Sequence, residues 1–314
     1  MKRCAFLTTD DLTGFVTDDA LAIGPLQHLG WQVDQVPWRA DADWDSYDVV
    51  IVRSTWDYQD HPDAFDVALR RIDGSRALLL NPLPLMRWNM RKTYLRELGA
   101  QGVPLLPTIW GDGISGSSGG EATPGVNELR GLFHRLDSDE IVIKPVVGAN
   151  ADHAWRVRRD ADITTFQGIA QAYHHRPYLA QPFQRRILDE GEFSLIYVAG
   201  ELSHTILKTP TTGDFRVQEE HGGIITAVRP ESTLRHRGDQ AMAALQALAD
   251  PTAAPFYARA DFVRTDTGDF AIMELELIEP ALYFRMDDGA ADRFARAVSA
   301  LIGSPVPYTI HDEP

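Results

Sequence analysis

The front of the chain alternates short apolar runs with helical stripes. Cys4–Thr8 reads as a buried strand that opens into the polar stretch Thr9-Asp10-Asp11. Asp18 to Leu29 carries Ala20, Leu21, Ile23, Leu26 and Leu29 close to helical spacing, and Gly30 is a natural stop. Trp31–Val36 alternates as a strand does, and Val49–Val52 is a second buried strand followed by Arg53-Ser54-Thr55-Trp56-Asp57-Tyr58. Pro62–Ile72 predicts a helix and Ala77–Leu80 another strand. Strands alternating with helices predict a parallel sheet with crossover helices, whose ligands sit beyond the carboxyl ends of the strands. The polar clusters at Thr8–Asp11 and Arg53–Tyr58 fall at those ends.

The pattern then changes. Trp88–Leu98 predicts a helix, closed by Gly99 and Gly102, and Val103–Thr108 a strand. Residues 111–125, rich in Gly and Ser, predict a mobile loop. Ile141-Val142-Ile143-Lys144 and Tyr178–Gln181 read as strands, with a helix over Asp162–Tyr173. Two hairpins follow: Phe193–Val198 with Leu202–Lys208 across Ala199-Gly200-Glu201, and Phe256–Val263 with Phe270–Leu277 across Asp266-Thr267-Gly268-Asp269. Helices over Glu231–Leu248 and Ala290–Ile302 complete the chain. The fold class is therefore α/β in front and α+β behind.

The net charge of −15 argues against nucleic acid and anionic membranes as partners. The basic stretches Arg156–Arg159 and Arg185-Arg186 are short and lie near acids. Cys4 is alone, so no intrachain disulfide or cysteine zinc site forms. The apolar run after Met1-Lys2-Arg3 is too short for a secretion signal, and no run approaches the ~18 residues of a membrane span. A cytoplasmic protein is expected. His174 and His175, being adjacent, are expected to point apart on a helix.

The second hairpin carries the chemistry. Arg259 and Asp261 lie two apart on one strand, so they share a face; Glu274 and Glu276 do the same on its partner. The turn folds three carboxylates and an arginine onto one sheet face. Mg²⁺, or Mn²⁺ in its place, suits such oxygen donors together with substrate phosphates. Taken by itself, the pattern equally fits a solvated face with cross-strand ion pairs.

Arg259-x-Asp261 with Glu274-x-Glu276 resembles the Arg-x-Asp and Glu-x-Asn pair of ATP-grasp ligases, the superfamily of D-alanine–D-alanine ligase, glutathione synthetase and the ribosomal-protein glutamate ligases. Glu276 stands where the family usually has Asn. The resemblance implies an ATP-grasp fold behind a parallel-sheet α/β domain. It implies ATP and Mg²⁺ as cofactors, metal ligands Asp261, Glu274 and Glu276, and Arg259 as the residue that steadies the reacting acyl phosphate. It further implies nucleotide contacts from Lys92, Lys144 (in Ile143-Lys144-Pro145), a phosphate loop at Gly148–Asp152, an adenine hinge at Gln181-Pro182-Phe183-Gln184, a ribose-binding Glu192 (in Gly191-Glu192-Phe193-Ser194) and Lys208. The implied boundaries are 1–82, 83–190 and 191–314.

For the substrate, Arg53, Ser54, Trp56 and Asp57 stand ready in front, and Arg216 suits a carboxylate or phosphate. Glu279-Pro280-Ala281-Leu282-Tyr283 is placed to wall an acceptor pocket. Lys208 to Gly223 resembles a small-molecule branch of the superfamily, similar to the cyclo-ligase of D-cycloserine synthesis, an antibiotic-forming enzyme that closes an O-ureido-serine ring. An amino-acid-like substrate is implied, its carboxylate or ureido carbonyl activated at the γ-phosphate. A glutathione-synthetase-type ligase, a small-molecule kinase and a non-catalytic nucleotide-binding regulator stay open on the sequence. A homodimer is the ordinary expectation for the assembly.

Overall fold

The computed structural model of the protein describes residues 1–114, 124–148, 151–249 and 254–303. Three sheets organise it. The first comprises β1 (Lys2–Thr8), α1 (Ala20–His28), β2 (Trp31–Pro37), β3 (Val49–Ser54), α2 (Pro62–Asp73) and β4 (Leu78–Leu80), with strand order β2-β1-β3-β4 and every pairing parallel. β3 is buried along its whole length, which is why Val49–Val52 reads as an unbroken apolar run rather than an alternating one.

Two helices, α3 (Leu83–Asn89) and α4 (Tyr94–Ala100), lead to the second sheet. It holds β5 (Ile109–Gly111), α5 (Pro124–Arg135), β6 (Glu140–Pro145), β7 (Trp155–Arg158), α6 (Ile163–Ala172) and β8 (Tyr178–Pro182), in antiparallel order β5-β8-β6-β7. The third sheet follows α7 (Arg186–Asp189). Its strands are β9 (Glu192–Val198), β10 (Glu201–Thr209), β11 (Ile224–Val228), and, after α8 (Ser232–Leu248), β12 (Tyr257–Arg264) and β13 (Phe270–Glu276), in order β11-β10-β9-β12-β13. Helix α9 (Ala290–Gly303) returns to the first sheet. Among the described residues no helix is long and apolar enough to cross a membrane.

Several expectations change. The single helix over Trp88–Leu98 is two helices, with Lys92 in the break. Asn89 explains the stop: its amide donates to the Leu275 carbonyl at 2.7 Å and accepts from the Leu277 N–H at 2.9 Å, which pins the end of α3 to β13. The predicted strand Val103–Thr108 is not a strand. Pro104 and Pro107 lack the N–H a ladder needs, and the segment makes only an isolated bridge, Leu105 to Ile272, before β5 begins. The sequence reading missed α5, β7 and β11. The loop expected over 111–125 lies, for residues 115–123, outside the described residues, as do Ala149 and Asn150. His174 and His175 fall after α6 ends; their ring centroids are 3.8 Å apart, because His175 takes a φ of 66° and the helical geometry no longer holds. The basic stretch Arg156–Arg159 is paired to Glu140, Asp160 and Asp139.

The first sheet does not keep a core to itself. Phe294 of α9 packs edge-on against Phe6 of β1, Phe256 and Phe284, at centroid distances of 6.4, 5.6 and 5.3 Å. One cluster therefore joins β1, β3 and α1 to β9, β10 and α9. Asn81 fastens the same junction. Fully buried, it donates to the carbonyls of Tyr257 and Leu277 at 2.9 and 2.7 Å and accepts from the N–H groups of Phe256 and Tyr257 at 2.5 and 3.3 Å. Asn81→Leu removes a partner from each of these buried backbone groups. A loss of about 2–4 kcal/mol of unfolding free energy is expected in urea titrations followed by circular dichroism.

Candidate active site

The site lies where β12 and β13 meet the two preceding sheets. In the hairpin register Arg259 faces Glu276 and Asp261 faces Glu274, so the four expected residues do share one face of the third sheet. β9 flanks them on the other side, placing Ser194 opposite Asp261. β10 supplies Lys208, which pairs in register with Glu192. Gly191 makes this closeness achievable. It holds a φ of 118°, and a Cβ there would meet the Lys208 carbonyl at 2.6 Å.

These side chains form one buried charge network. Asp261 accepts from the Ser194 hydroxyl at 2.6 Å, from Lys208 Nζ at 3.1 Å and from Arg259 Nε and Nη2 at 3.0–3.2 Å. Burial alone would push the Asp261 carboxyl up, but Arg259 and Lys208 outweigh it and hold the group well below the usual carboxylate range. Lys208 also pairs with Glu192 at 2.5 Å. Its own burial is overcome by Asp261 and Glu192, which raise its pKa. Burial raises Glu192 against the opposing field of Lys208.

Arg259 reaches across to Glu276, and Lys92 to Glu274. Lys92 Nζ also donates to the Gly148 carbonyl at 2.8 Å. The lysine thereby ties the break between α3 and α4 to the start of the expected phosphate loop. Burial pulls Lys92 down, yet Glu274 more than compensates and its pKa is raised. Among the described residues Lys144 forms no ion pair: its Nζ donates to the Met273 carbonyl at 3.5 Å, and burial, with Lys92 adding to it, lowers its pKa. Burial pushes Glu276 up to about 7 against the pull of Arg259.

Two cavities open beside this network. One, of about 910 Å³, is walled by Lys144, Val142, Gln181, Phe183, Ile187, Glu192, Arg216, Val217 and Met273. The other, of about 800 Å³, is walled by Trp56, Tyr58, Tyr94, Lys208, Arg259, Glu279, Ala281 and Tyr283. They share Lys92, Gly148, Gln218, Glu274 and Glu276. The first has an apolar slot and cations at one end, the combination a nucleotide requires.

Some expected residues take other places. Asp261, expected as a metal ligand, lines neither cavity, because its oxygens are already taken by two cations and a hydroxyl. Among the described residues no three His, Cys, Asp or Glu side chains are disposed to hold one metal ion. Glu274 and Glu276, hard oxygens on the wall shared by both cavities, fit the one or two carboxylates by which Mg²⁺ is ordinarily held, with phosphates and water completing its shell. Arg53 and Ser54, expected to grip substrate, sit below the cavity in β3. Arg53 Nε donates to Asp19 at 2.9 Å and its Nη2 to the Pro280 carbonyl at 3.0 Å, while Ser54 also bonds Asp19; a buried anion at the start of α1 draws both inward. Asp57 accepts from Trp38 Nε1 at 2.8 Å and pairs with Arg39. The loop after β3 reaches the cavity through Trp56 and Tyr58 instead. Arg216 pairs with Asp214 at 2.7 Å and lines the first cavity rather than the second. In the hinge, the Phe183 N–H donates to the Glu140 carbonyl at 2.9 Å, and Gln181 Nε2 to Thr108 at 3.0 Å. His153 contributes its carbonyl, which accepts from the Tyr173 hydroxyl at 2.5 Å.

Sequence reasoning passed over Tyr58, Asn89, Tyr94 and Gln218, all on the cavity walls, and placed Glu279 only in the wall-forming stretch. The one signal for Glu279 was its position three residues beyond Glu276, followed by a proline. At the mouth, Arg285 bridges Asp18 of the front loop, at 2.7 Å, and Glu219.

A parallel sheet ahead of two antiparallel sheets, with a cavity between the latter and a shared carboxylate wall, is the arrangement of the ATP-grasp fold. Residues 4–81 match the family model of the N-terminal domain of D-cycloserine synthetase DcsG. The chain is 27% identical over 272 residues to the cycloserine biosynthesis protein DcsG of Streptomyces lavendulae, covering 82% of this chain and 84% of that one. Among solved structures it is similar to D-cycloserine synthetase DcsG (TM-score 0.80, 24% identity, 96% of this chain and 99% of that one). It is also similar to D-alanine–D-alanine ligase of Bacillus anthracis (TM-score 0.62, 13% identity, 96% and 97%) and to the ATP-grasp ligase PsnB complexed with minimal precursor, Mg and ADP (TM-score 0.60, 12% identity, 96% and 98%).

Burial, with Glu276 adding to it, pushes Glu279 up from 4.5 to about 8. Its protonated form thus contributes stability that is complete below the unfolded value, declines as pH rises toward the folded one and is gone above it. Thermal melts of the ligand-free protein from about pH 5 to about pH 9 should show the wild type losing stability relative to Glu279→Gln. Parallel curves would refute the assignment.

Proposed function

We propose that the protein is an ATP-dependent ligase that activates the carboxylate of a small amino-acid-like substrate and closes a carbon–nitrogen bond on it, with ring closure as the favoured outcome. The observation that carries this reading is the shared wall. A nucleotide in the first cavity and a substrate in the second would meet across Lys92, Glu274 and Glu276, so a phosphoryl group can pass between them without crossing solvent. The ring-closing form follows the likeness to DcsG, over 82% of the chain in sequence and 96% in structure.

The reaction has two steps. A carboxylate oxygen of the substrate attacks the γ-phosphorus and ADP leaves. A nitrogen of the same molecule then attacks the acyl carbon, phosphate leaves with the carbon–oxygen bond pair, and the nitrogen gives up a proton. Mg²⁺, held by Glu274 and Glu276, would supply charge neutralisation to the phosphates. Lys144, which among the described residues forms no ion pair, is free to bind phosphate oxygens. Lys92 holds Gly148 through its carbonyl. Arg259 reaches the second cavity with its guanidinium held by Asp261, and its fork is placed to steady negative charge developing on the acyl oxygens. Trp56, Tyr58 and Tyr283 narrow the second cavity, which keeps water from the activated acyl group. Asp261 works from behind as the anchor of Arg259 and Lys208. A homodimer and a cytoplasmic setting are the simplest context for it.

The test is ADP release over a panel of amino acids and O-substituted serines, O-ureido-serine included, with mass detection of products. Release of ADP and free phosphate that depends on one of these substrates, with a product one water lighter than it, is expected and should be lost on chelation of Mg²⁺. A phosphorylated end product without free phosphate would select a kinase instead, and binding without turnover a regulator. Arg259→Lys should lower kcat by about 100-fold or more while nucleotide affinity is kept.

A further inference from the structure

Residues 279–283, between β13 and α9, wall the second cavity without belonging to a strand or helix. Buried backbone outside a ladder must find its hydrogen bonds elsewhere, and here side chains from distant elements supply them. The Glu279 carbonyl accepts from Trp56 Nε1 at 2.9 Å, the Pro280 carbonyl from Arg53 Nη2 at 3.0 Å and the Leu282 carbonyl from His204 Nε2 at 3.0 Å. The carbonyl among them, that of Ala281, accepts from Arg259 Nη1 at 3.3 Å. Nε and Nη2 of this arginine are turned to Asp261 and Glu276, so Nη1 is the nitrogen whose place depends on the segment. Tyr283 adds a second hold, its ring centroid 5.9 Å from the Arg259 guanidinium carbon.

Tyr283 is strained where it stands. Its φ of 46° and ψ of 47° are left-handed, a region that a bulky residue keeps only when its surroundings enforce it. The bond from His204 to the preceding carbonyl is such an enforcement. His204 lies in β10, 8% exposed, and lines neither cavity. A carbonyl only accepts, so Nε2 carries the ring proton. Nδ1 is then the acceptor for the Ser203 hydroxyl at 3.0 Å. Ser203 Oγ accepts in turn from Arg293 Nε and Nη2 at 3.1 and 3.0 Å, and Arg293 pairs with Asp287 at 2.6 Å. Asp287, Arg293 and Ser203 thereby fix the tautomer that the Leu282 carbonyl needs. Burial holds the imidazole below its ordinary pKa against the pull of Asp287, which keeps the ring neutral.

We infer that His204 is a positioning residue of the site: through the Leu282 carbonyl it keeps Ala281 and Tyr283 against the Arg259 guanidinium, so that the arginine holds one orientation at the second cavity. Asp261 and Glu276 anchor the guanidinium from one side, and the segment closes on it from the other. Without the His204 bond, the Leu282 carbonyl is buried and unpaired, Tyr283 loses what enforces its conformation, and Nη1 loses a fixed acceptor. The inference deepens the ligase reading and rests on it for the effect on rate. The effect on Arg259 itself does not need that reading.

Two variants of the full-length chain test it. His204→Gln keeps an N–H near the place of Nε2, whereas His204→Met fills a similar volume and has none. The first readout is NMR of the ligand-free protein with isotope-labelled arginine, in which the Arg259 Nε–H signal is assigned by its loss in Arg259→Lys. Hydrogen exchange at that Nε–H is expected to quicken about tenfold or more in His204→Met and to stay within about threefold of wild type in His204→Gln. The second readout is kinetic, with a substrate that supports ADP release. His204→Met should lower kcat about tenfold or more with KM for ATP kept within about twofold, and His204→Gln should restore most of the loss. In an Arg259→Lys background the same His204→Met change should cost about threefold or less, because the group it acts through is gone. Unaltered Arg259 exchange in folded His204→Met, or an equal loss of kcat with and without Arg259, overturns the role. Should His204→Met not fold, Ser203→Ala, which removes the donor to Nδ1, takes its place: exchange about threefold faster is expected, and unchanged exchange overturns the role. Quickened exchange without ADP release by the wild type on any substrate sinks the ligase reading and leaves the positioning role standing; ADP release with unaltered exchange does the reverse.

Discussion

The buried pairing of Arg259 with Asp261 governs the rest of the site. An aspartate this deeply enclosed is tolerable only with cations on it, and Arg259 and Lys208 both comply. That requirement fixes the arginine fork in one orientation, with its remaining reach directed at Glu276. It fixes Lys208, and through it Glu192. Four strands thus deliver their charges to one place, and the guanidinium arrives at the cavity already oriented. Preorganisation of this kind lowers the cost of stabilising charge at the moment it develops.

The position of the cavities follows from how the three sheets are joined. The front sheet shares its apolar core with β9, β10 and α9, and Asn81 fixes the crossing by satisfying backbone groups of β12 and of the segment after β13. The loop after β3 can therefore bring Trp56 and Tyr58 to the substrate wall, with Trp56 Nε1 bonded to the Glu279 carbonyl at 2.9 Å. The middle sheet meets the site through Lys144 and Gly148. The two cavities abut because one hairpin, β12–β13, borders both.

This geometry separates tasks that a single pocket would mix. Apolar residues and Lys144 wall the first cavity; Trp56, Tyr58, Tyr283 and Arg259 wall the second; Glu274 and Glu276 stand between. Neutralising cations already lie on these two carboxylates, so the wall is close to charge balance before anything binds. Ligands then exchange one set of ionic partners for another, which costs less than building the charge arrangement anew.

Local pattern was enough to reveal the parallel sheet, both hairpins and the shared face of Arg259, Asp261, Glu274 and Glu276, because period-two alternation and turn residues act over a few positions. It was not enough to tell which of these side chains reach a cavity. Asp261 is drawn into an ion network by Lys208, 53 residues away in sequence; Arg53 is drawn down by Asp19 and by the Pro280 carbonyl 227 residues on. The break at Lys92 was equally hidden, since it depends on Asn89 meeting the backbone of β13. Gln218 carried no local signal at all. The sequence by itself determined the elements and the chemical inventory, because propensity and periodicity are short-range. Only the tertiary structure decided which charges neutralise one another and which, like Glu279, are left facing a cavity, because burial and counter-ions come from segments far apart along the chain.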